Sequence, residues 1–244
     1  MRIALLADIH GNSAALDAVL QDIPDADAYW VLGDLVALGP DPVGVMERLH
    51  TLNGLQMIRG NTDRYVTHND RPAPTIEAAK NNPGLLPALV EVANTFAWTQ
   101  GMITAGGWFD TISQLPLDFE YTLPDGTRFL AVHAAPGKDD GDGIKPETAP
   151  GDLFTGCKAD FVCVGHTHIP FERDIQGIYV ANPGAISLSL LPNRKACYAI
   201  LDANEKGYSI SFRQVDYDRA AVVHQLHRLK HPARYFIIKH ITIA

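Results

Sequence analysis

Residues 2–10 read RIALLADIH, an apolar run that ends in an aspartate, an isoleucine and a histidine. An apolar run of this length predicts a β-strand that is covered on both faces, as in a parallel sheet. Asp8 and His10 follow the strand two residues apart, and side chains at that spacing share a face of an extended chain. The stretch therefore predicts an α/β fold with two potential metal ligands at one edge of its sheet.

The first sixty residues continue as strand, helix, strand, helix, strand. Apolar runs predict further strands at 28–32 and 55–59. Asn12 is a potential N-cap of a first helix that ends at Pro24, and Pro42 suits the first turn of a second helix. Right-handed crossovers would align the three strands in parallel, with their loops at the edge where open α/β sheets bind ligands.

The rest of the chain divides into a helical part and a strand-rich part. Residues 70–110 contain a proline-marked loop and helical stretches around 75–81 and 85–103, interpreted as a cap inserted in a single domain of residues 1–244. Short strands separated by turns are then predicted at 118–123, 127–133, 160–164, 177–181, 185–190, 196–202 and 208–214. An amphipathic helix at 216–230 and a short apolar segment at 235–243 follow.

Composition disfavours several classes of protein. The 244 residues are 46% hydrophobic and 20% charged, which is ordinary for a soluble globular protein with a substantial core. The net charge of −8 and the absence of Lys/Arg runs disfavour nucleic acid as a partner. No apolar stretch reaches the roughly 18 residues of a membrane span. The three cysteines form no CxxC pair, so we expect a reduced, cytoplasmic protein. The sequence leaves the oligomeric state open.

Other polar residues follow predicted strands as Asp8 and His10 do. In chain order they lie in Gly33-Asp34, Gly60-Asn61, His133 and Gly165-His166-Thr167-His168. Each has an ordinary alternative role, such as a turn for Asn61 or a buried hydrogen bond for His133. Together, two carboxylates, one amide and four imidazoles have the number and chemistry expected of ligands for two transition-metal ions.

In this order the motifs resemble D-x-H, G-D, G-N, H and G-H-x-H of the calcineurin-like metallophosphoesterase superfamily, in particular its small prokaryotic phosphodiesterase-like members. The resemblance covers residues 8–168. It implies a four-layer αββα sandwich and two divalent ions, with manganese first and iron, nickel or zinc as alternatives. By position, one ion would bind Asp8, His10, Asp34 and His168, and the other Asp34, Asn61, His133 and His166.

The resemblance implies hydrolysis of a phosphodiester or phosphomonoester by metal-bound hydroxide. Two divalent ions and two carboxylates leave a charge of about +2, which attracts a phosphoryl group and lowers the pKa of a bound water towards ~7. The expected partner is a small-molecule phosphate ester. Alternatives are a nucleotide pyrophosphatase or protein phosphatase of the same fold, or a binding scaffold like the retromer subunit that resembles this family. The scaffold lacks parts of the metal site, whereas all seven ligand positions are present here.

One residue departs from the family pattern. Many members have a histidine after the G-N asparagine, taken to assist the leaving group, but here Thr62 follows Asn61. Because threonine is not a general acid near neutral pH, we expect a preference for phosphodiesters or activated esters. Thr62 and Asn12 are candidate substrate contacts, and Asp63 is a candidate for proton relay or ligand orientation. Capping is an equal alternative for Asn12 and Asp63. Three nearby side chains are interpreted as solvated groups rather than phosphate contacts: Arg59, Arg64 and His68.

Overall fold

The structure is a computed structural model and describes residues 1–23, 25–68, 70–149 and 151–242. Its strands are β1 (Arg2–Leu6), β2 (Ala28–Val31), β3 (Gln56–Met57), β4 (Asp118–Thr122), β5 (Arg128–Val132), β6 (Phe161–Cys163), β7 (Phe171–Ile175), β8 (Ile178–Asn182), β9 (Ala196–Asn204) and β10 (Gly207–Val215). Its α-helices are α1 (Ser13–Asp22), α2 (Pro42–Leu49), α3 (Asn61–Thr67), α4 (Ile76–Asn81), α5 (Leu86–Ala105), α6 (Phe109–Ser113), α7 (Arg219–Arg228) and α8 (Arg234–Ile241). A short 3-10 helix spans Pro83–Leu85.

The strands form two five-stranded sheets, ordered β10-β9-β1-β2-β3 and β4-β5-β6-β8-β7. In the first sheet β1, β2 and β3 are parallel, as predicted from the crossovers. In the second sheet β5, β6 and β8 are parallel. The carboxyl ends of three strands therefore meet at one edge of each sheet.

The two sheets pack face to face through an apolar layer. Trp30 of β2 contacts Phe129 of β5 with ring centroids 4.8 Å apart, and Leu5 and Phe161 are fully buried in the same layer. Removing such a side chain from water contributes about 2 kcal/mol. This layer holds the carboxyl ends of the two sets of parallel strands next to each other.

Different structures cover the outer faces of the two sheets. Residues of helices α1, α2, α5, α7 and α8 share one apolar cluster with the outer face of the first sheet. On the second sheet, Ile144, Leu153 and Phe154 pack against its strands from the turn-rich segment between β5 and β6. Two mixed sheets with flanking helices confirm the predicted α/β sandwich. The turn-rich segment between β5 and β6 forms the layer on the outer face of the second sheet.

Five elements differ from the predictions. The strand predicted at 185–190 is wrong, because this segment is irregular and Ile186 donates its backbone N–H to the loop carbonyl of Ala7 at 3.0 Å. Strand β7 and helices α3, α6 and α8 were not predicted. Pro24, expected to end the first helix, lies outside the described residues, as does residue 243 of the predicted apolar segment.

The segment 70–110 contains α4, the 3-10 helix, α5 and the start of α6, so its helical character is confirmed. Helix α5 packs on α3 through Phe96 and Tyr65, whose ring centroids are 5.6 Å apart. Gln100 of α5 also donates to the carbonyl of Val66 at 2.9 Å. None of the described helices is both long and apolar enough to cross a membrane.

Candidate metal centre

The seven predicted ligands lie together where the two sheets present the ends of their parallel strands. Asp8 and His10 follow β1, Asp34 follows β2, and Asn61 follows β3. The histidines at 133, 166 and 168 follow β5 and β6 in the other sheet. The sequence predicted this arrangement because parallel strand ends converge on one edge.

The backbone at Asp8 and His10 is not extended, so the expected reason for the convergence of their side chains is wrong. Both residues have left-handed backbones, with φ of +54° and +50°. Among the described non-glycine residues ten have positive φ, and five of these are predicted ligands: Asp8, His10, Asp34, His166 and His168. The conformation costs about 1–2 kcal/mol per residue. It is stabilised by bonds such as Asp8 N to Gly33 O (3.1 Å) and His10 N to Asp34 O (2.9 Å).

Two motif glycines allow the ligand loops to approach each other. Gly33 has a φ of +89°, and a Cβ there would lie 2.5 Å from the Gly60 nitrogen and 2.7 Å from His133 Nδ1. A Cβ on Gly60 would lie 2.1 Å from Asp34 Oδ1. Any side chain at either position would therefore displace backbone or a candidate ligand.

A first group consists of Asp8, His10 and His168, which offer ligand atoms within 4.8 Å of one another. The Nε2 atoms of His10 and His168 are 3.1 Å apart, and His168 Nε2 is 3.6 Å from Asp8 Oδ1. Asp34 Oδ2 also lies 3.6 Å from His10 Nε2. The four residues predicted for the first ion are therefore brought together.

A second group lies on the other side of Asp34. His133 Nε2 is 3.1 Å from Asn61 Oδ1 and 3.4 Å from Asp34 Oδ1. His166 Nδ1 is 3.0 Å from the same Asn61 oxygen. Asp8 also reaches this side, with Oδ1 4.0 Å from His133 Nε2. Asp34 thus faces each group with a different carboxylate oxygen.

Hydrogen bonds to backbone carbonyls fix the orientation of three of the four imidazoles. The Nδ1 atoms of His10, His133 and His168 face backbone carbonyls, which only an N–H can satisfy. Their carbonyl partners belong to Ala37, Leu32 and Leu188, at 3.2, 2.6 and 2.9 Å respectively. When the ring is neutral, Nε2 of each of these histidines therefore faces the centre with its lone pair. Backbone carbonyls orient metal-binding histidines in this way.

The donor set fits divalent metal ions. Two neutral imidazoles that place Nε2 lone pairs 3.1 Å apart in a buried site repel each other unless a cation lies between them. Two nitrogens bound to one ion at about 2.1 Å are about 3 Å apart when they are adjacent ligands. Imidazole, carboxylate and amide donors without thiolate suit manganese, iron, nickel or zinc.

Burial and mutual charge shift the pKa values of these groups. Burial raises the pKa of Asp8 to about 6 and lowers that of His10 to about 4. Burial also disfavours charge on Asp34 and His133, but their mutual attraction outweighs it. The attraction between the two groups lowers the pKa of Asp34 and raises that of His133 to about 10. Without an ion, one proton therefore occupies the His133–Asp34 pair at neutral pH.

The three weaker candidates have defined contacts. Asp63 is buried and accepts from the backbone N–H groups of Leu35 and Gly60, each at 2.9 Å, which ties the loop after β2 to the start of α3. Burial raises the pKa of Asp63 to about 7. Orientation of the ligand loops explains these contacts, and proton relay stays a prediction.

Thr62 and Asn12 are both buried. Thr62 donates its backbone N–H to Asp34 Oδ1 at 2.9 Å, and its Oγ1 has no hydrogen-bond partner in the described part of the chain. Asn12 caps α1 by accepting from Ala15 N at 3.1 Å and donates to Ser187 Oγ at 3.0 Å. The capping role of Asn12 is confirmed, whereas substrate contact stays a prediction for both residues.

Two arginines near the site are ion-paired rather than solvated. Arg59 Nε and Arg64 Nε lie 2.9 and 3.0 Å from Asp139 Oδ2, and Arg64 Nη2 lies 3.1 Å from Asp140. His68 is exposed, as expected. The sequence interpretation missed Asp139, Asp140 and Gly141, whose only signal was an acidic, glycine-containing turn that follows His133.

Comparisons with known proteins identify the family of the chain. A sequence profile of the calcineurin-like phosphoesterase superfamily domain matches residues 1–206. An uncharacterized protein of Methanocaldococcus jannaschii is 29% identical over 234 residues, which cover 88% of each chain. The symmetrical bis(5'-nucleosyl)-tetraphosphatase of Salmonella paratyphi B is 35% identical over 92 residues, 32% of this chain and 33% of that protein. The match thus spans about a third of that relative's length.

Solved structures share the fold. A hypothetical protein from Pyrococcus horikoshii OT3 superposes with a TM-score of 0.81 at 22% identity, covering 100% of this chain and 99% of that one. A metallophosphoesterase from Sphaerobacter thermophilus superposes with a TM-score of 0.75 at 24% identity, covering 99% of both. Since the profile match covers most of the sequence, the chain belongs to the calcineurin-like phosphoesterase superfamily, a family of hydrolases that use divalent metals.

Proposed function

We propose that this protein is a dinuclear metal-dependent phosphoesterase that cleaves phosphodiesters or activated phosphomonoesters. Asp8, His10, Asp34 and His168 would hold one ion, and Asp34, Asn61, His133 and His166 the other. The observation that carries the proposal is the convergence of four oriented imidazole nitrogens with Asp34, which faces both groups. Manganese is the first candidate, with iron, nickel or zinc as alternatives.

The bound ions would supply positive charge for the phosphoryl oxygens and a water acidic enough to attack near neutral pH. The chain's own residues fix this chemistry in place. Carbonyls of Ala37, Leu32 and Leu188 hold three imidazoles in the tautomer that leaves Nε2 free. Thr62 N–H holds Asp34 Oδ1 at 2.9 Å, which orients the carboxylate shared by both groups.

Substrate preference follows from Thr62. Its hydroxyl is no proton donor to a leaving oxygen near pH 7, and no histidine occupies the position after Asn61. Esters whose leaving groups depart without protonation are therefore the favoured substrates. The helical segment 70–110, next to α3, is proposed as the cap that shapes access to the site in a single domain.

The test is metal-dependent hydrolysis of bis-p-nitrophenyl phosphate and p-nitrophenyl phosphate with Mn²⁺, Fe²⁺, Ni²⁺ or Zn²⁺, combined with elemental analysis. We expect two ions per chain and faster turnover of the diester. A folded protein that is inactive with every metal would favour the scaffold alternative. Thr62→His adds the absent acid, and we expect it to increase the rate on alkyl monoesters more than on nitrophenyl esters.

Cleavage of a pyrophosphate bond is the second candidate. It is favoured by the similarity of 92 residues to a symmetrical bis(5'-nucleosyl)-tetraphosphatase. Release of nucleoside diphosphate from a symmetrical dinucleoside tetraphosphate, compared with nitrophenyl diester hydrolysis by the same preparation, distinguishes the two. A cytoplasmic location is proposed from the three free cysteines and their spacing.

A further inference from the structure

The imidazole of His166 is supported differently from the other three. His166 Nε2 lies 2.8 Å from the carbonyl oxygen of Gly141, a residue exposed on the surface. The carbonyl accepts, so Nε2 of the neutral ring carries the hydrogen, and the lone pair of Nδ1 faces Asn61 Oδ1 at 3.0 Å. Two acceptors at this distance repel each other unless a cation lies between them. The position of one exposed carbonyl therefore selects the tautomer of His166 that can bind an ion.

Residues 139–141, the acidic loop, are held by side chains rather than by a sheet. Asp140 Oδ1 accepts from the backbone N–H of Gly141 at 2.7 Å. Asp140 Oδ2 accepts from Arg64 Nη2 at 3.1 Å and from the hydroxyl of Tyr65. Asp139 is buried and accepts from Nε of Arg59 and Arg64. Apart from the bond from His166, every side-chain bond to the loop in the described part of the chain therefore comes from residues 59–65.

These anchoring residues lie next to Asn61 in the chain. Arg64 and Tyr65 are in α3, whose first residue is Asn61, and Arg59 precedes the motif glycine. Asn61 Oδ1 in turn lies 3.0 Å from His166 Nδ1. The helix that supplies one ligand of the second group thus also fixes the loop that orients another.

We propose that Arg64 and Tyr65, through Asp140 of the acidic loop, are positioning residues that set the affinity of the second metal ion and leave the first unaffected. The inference rests on the proposed function, because it assigns Asn61, His133 and His166 to that ion. The first group receives no support from the loop, since its imidazoles bond to Ala37 and Leu188. Loss of the loop's anchor frees the Gly141 carbonyl, and His166 then reaches the tautomer with a hydrogen on Nδ1.

The test variant is Asp140→Ala, and Asp70→Asn is its matched control. Asp70 also pairs with Arg64, through Nη1, but makes no contact with the acidic loop among the described residues. Mn²⁺ binding to the metal-free chain is followed by calorimetry, and by electron paramagnetic resonance, which separates single ions from exchange-coupled pairs. Outer hydrogen-bond partners of metal ligands change affinity about 10–100-fold.

We expect Asp140→Ala to lower the affinity for the second ion by that factor and to leave the affinity for the first ion unchanged. With two equivalents of Mn²⁺, the paramagnetic resonance spectrum should then be that of single ions. Tyr65→Phe, which keeps the ring against Phe96, should lower the affinity for the second ion less. Asp140→Asn should retain part of the affinity that Asp140→Ala loses. Asp70→Asn should bind both ions as the wild type does.

Two results would overturn the inference. One is an unchanged second affinity in Asp140→Ala. The other is a parallel fall of both affinities with the melting temperature, which indicates a general structural role. A wild-type chain that binds one ion or none contradicts the dinuclear proposal itself, so the wild-type titration separates failure of the proposed function from failure of the inference.

Discussion

Three histidines of the centre and the fourth are held in place by different means. His10, His133 and His168 bond through Nδ1 to carbonyls of the buried residues Ala37, Leu32 and Leu188. His166 bonds through Nε2 to an exposed glycine whose loop is fixed by ion pairs. Buried backbone support is insulated from solvent, whereas ion-paired support depends on charge and salt. The two halves of the centre should therefore respond differently to the same perturbation.

Asp34→Asn tests the element that the two halves share. An amide lacks the charge and the second acceptor oxygen that Asp34 presents to His10 and His133. We expect diester hydrolysis to fall by at least about a thousandfold, because both ions lose a ligand. Steady-state kinetics at saturating Mn²⁺ measures the loss, and circular dichroism verifies folding. Undiminished turnover would show that the reaction takes place elsewhere.

His231 gives a contrast to both halves, because it is a buried imidazole outside the centre. It packs edge-on against Trp98 and accepts the backbone N–H of Ala233 through Nδ1 at 3.2 Å. Burial, with Arg234 nearby, lowers its pKa to about 4. With a folded pKa below the unfolded value of about 6.5, its stabilising contribution is full above pH 6.5 and falls as the pH drops through about 4.

The expected loss at His231 is about 3 kcal/mol of the free energy of unfolding. Asn at position 231 keeps an acceptor for Ala233 and does not titrate. Urea unfolding of the metal-free wild type and His231→Asn at pH 7, 5.5 and 4 measures the difference between them. A difference in unfolding free energy between the two proteins that stays constant from pH 7 to pH 4 would contradict a depressed pKa at His231.

The pH dependence of metal uptake sharpens the comparison within the centre. His133 has a pKa of about 10 in the metal-free protein, so below that pH its proton stabilises the fold and must leave before an ion binds. Mn²⁺ affinity should therefore rise about tenfold per pH unit, roughly thirtyfold from pH 6.5 to 8. Calorimetry in buffers of different ionisation enthalpy counts the released protons. Affinity that is flat over this interval would contradict a protonated His133.

Salt should produce the smallest effect. At 1 M potassium chloride the Debye length is about 3 Å, which screens the partly exposed pair of Arg64 and Asp140. We expect the ratio of second-ion to first-ion affinity to fall by about threefold. The ratio is used because salt also weakens Mn²⁺ binding in general, and this general effect cancels between the two affinities. A constant ratio would mean that the acidic loop keeps its position without its ion pairs.

The convergence of the seven candidate ligands could be predicted, because the ends of parallel strands converge whatever the loops contain. The orientation of the ligands could not. The left-handed backbones of Asp8 and His10 depend on bonds to Gly33 and Asp34, which are distant in sequence. Gly141 acts through its carbonyl, and no residue pattern reveals which carbonyl meets an imidazole.

The errors in secondary structure have similar causes. Ile186, Leu188 and Leu190 alternate like a strand, but Leu188 has a φ of +56° and the segment bonds to loop carbonyls. Strand β7 carries three consecutive charged residues and forms by pairing with β8. Helix α3 contains poor helix formers, and Asp63 stabilises its start by accepting from Gly60.

The left-handed backbones that position the candidate ligands reduce the free energy of unfolding of the protein. Five ligands at about 1–2 kcal/mol each amount to roughly the net stability of a whole domain. Glycine at any of these positions would relieve conformational cost while deleting a donor. A search for heat-resistant variants that ignored metal content would therefore favour substitutions at the centre itself. In this fold, thermal tolerance and the proposed metal binding are in conflict at the same few residues.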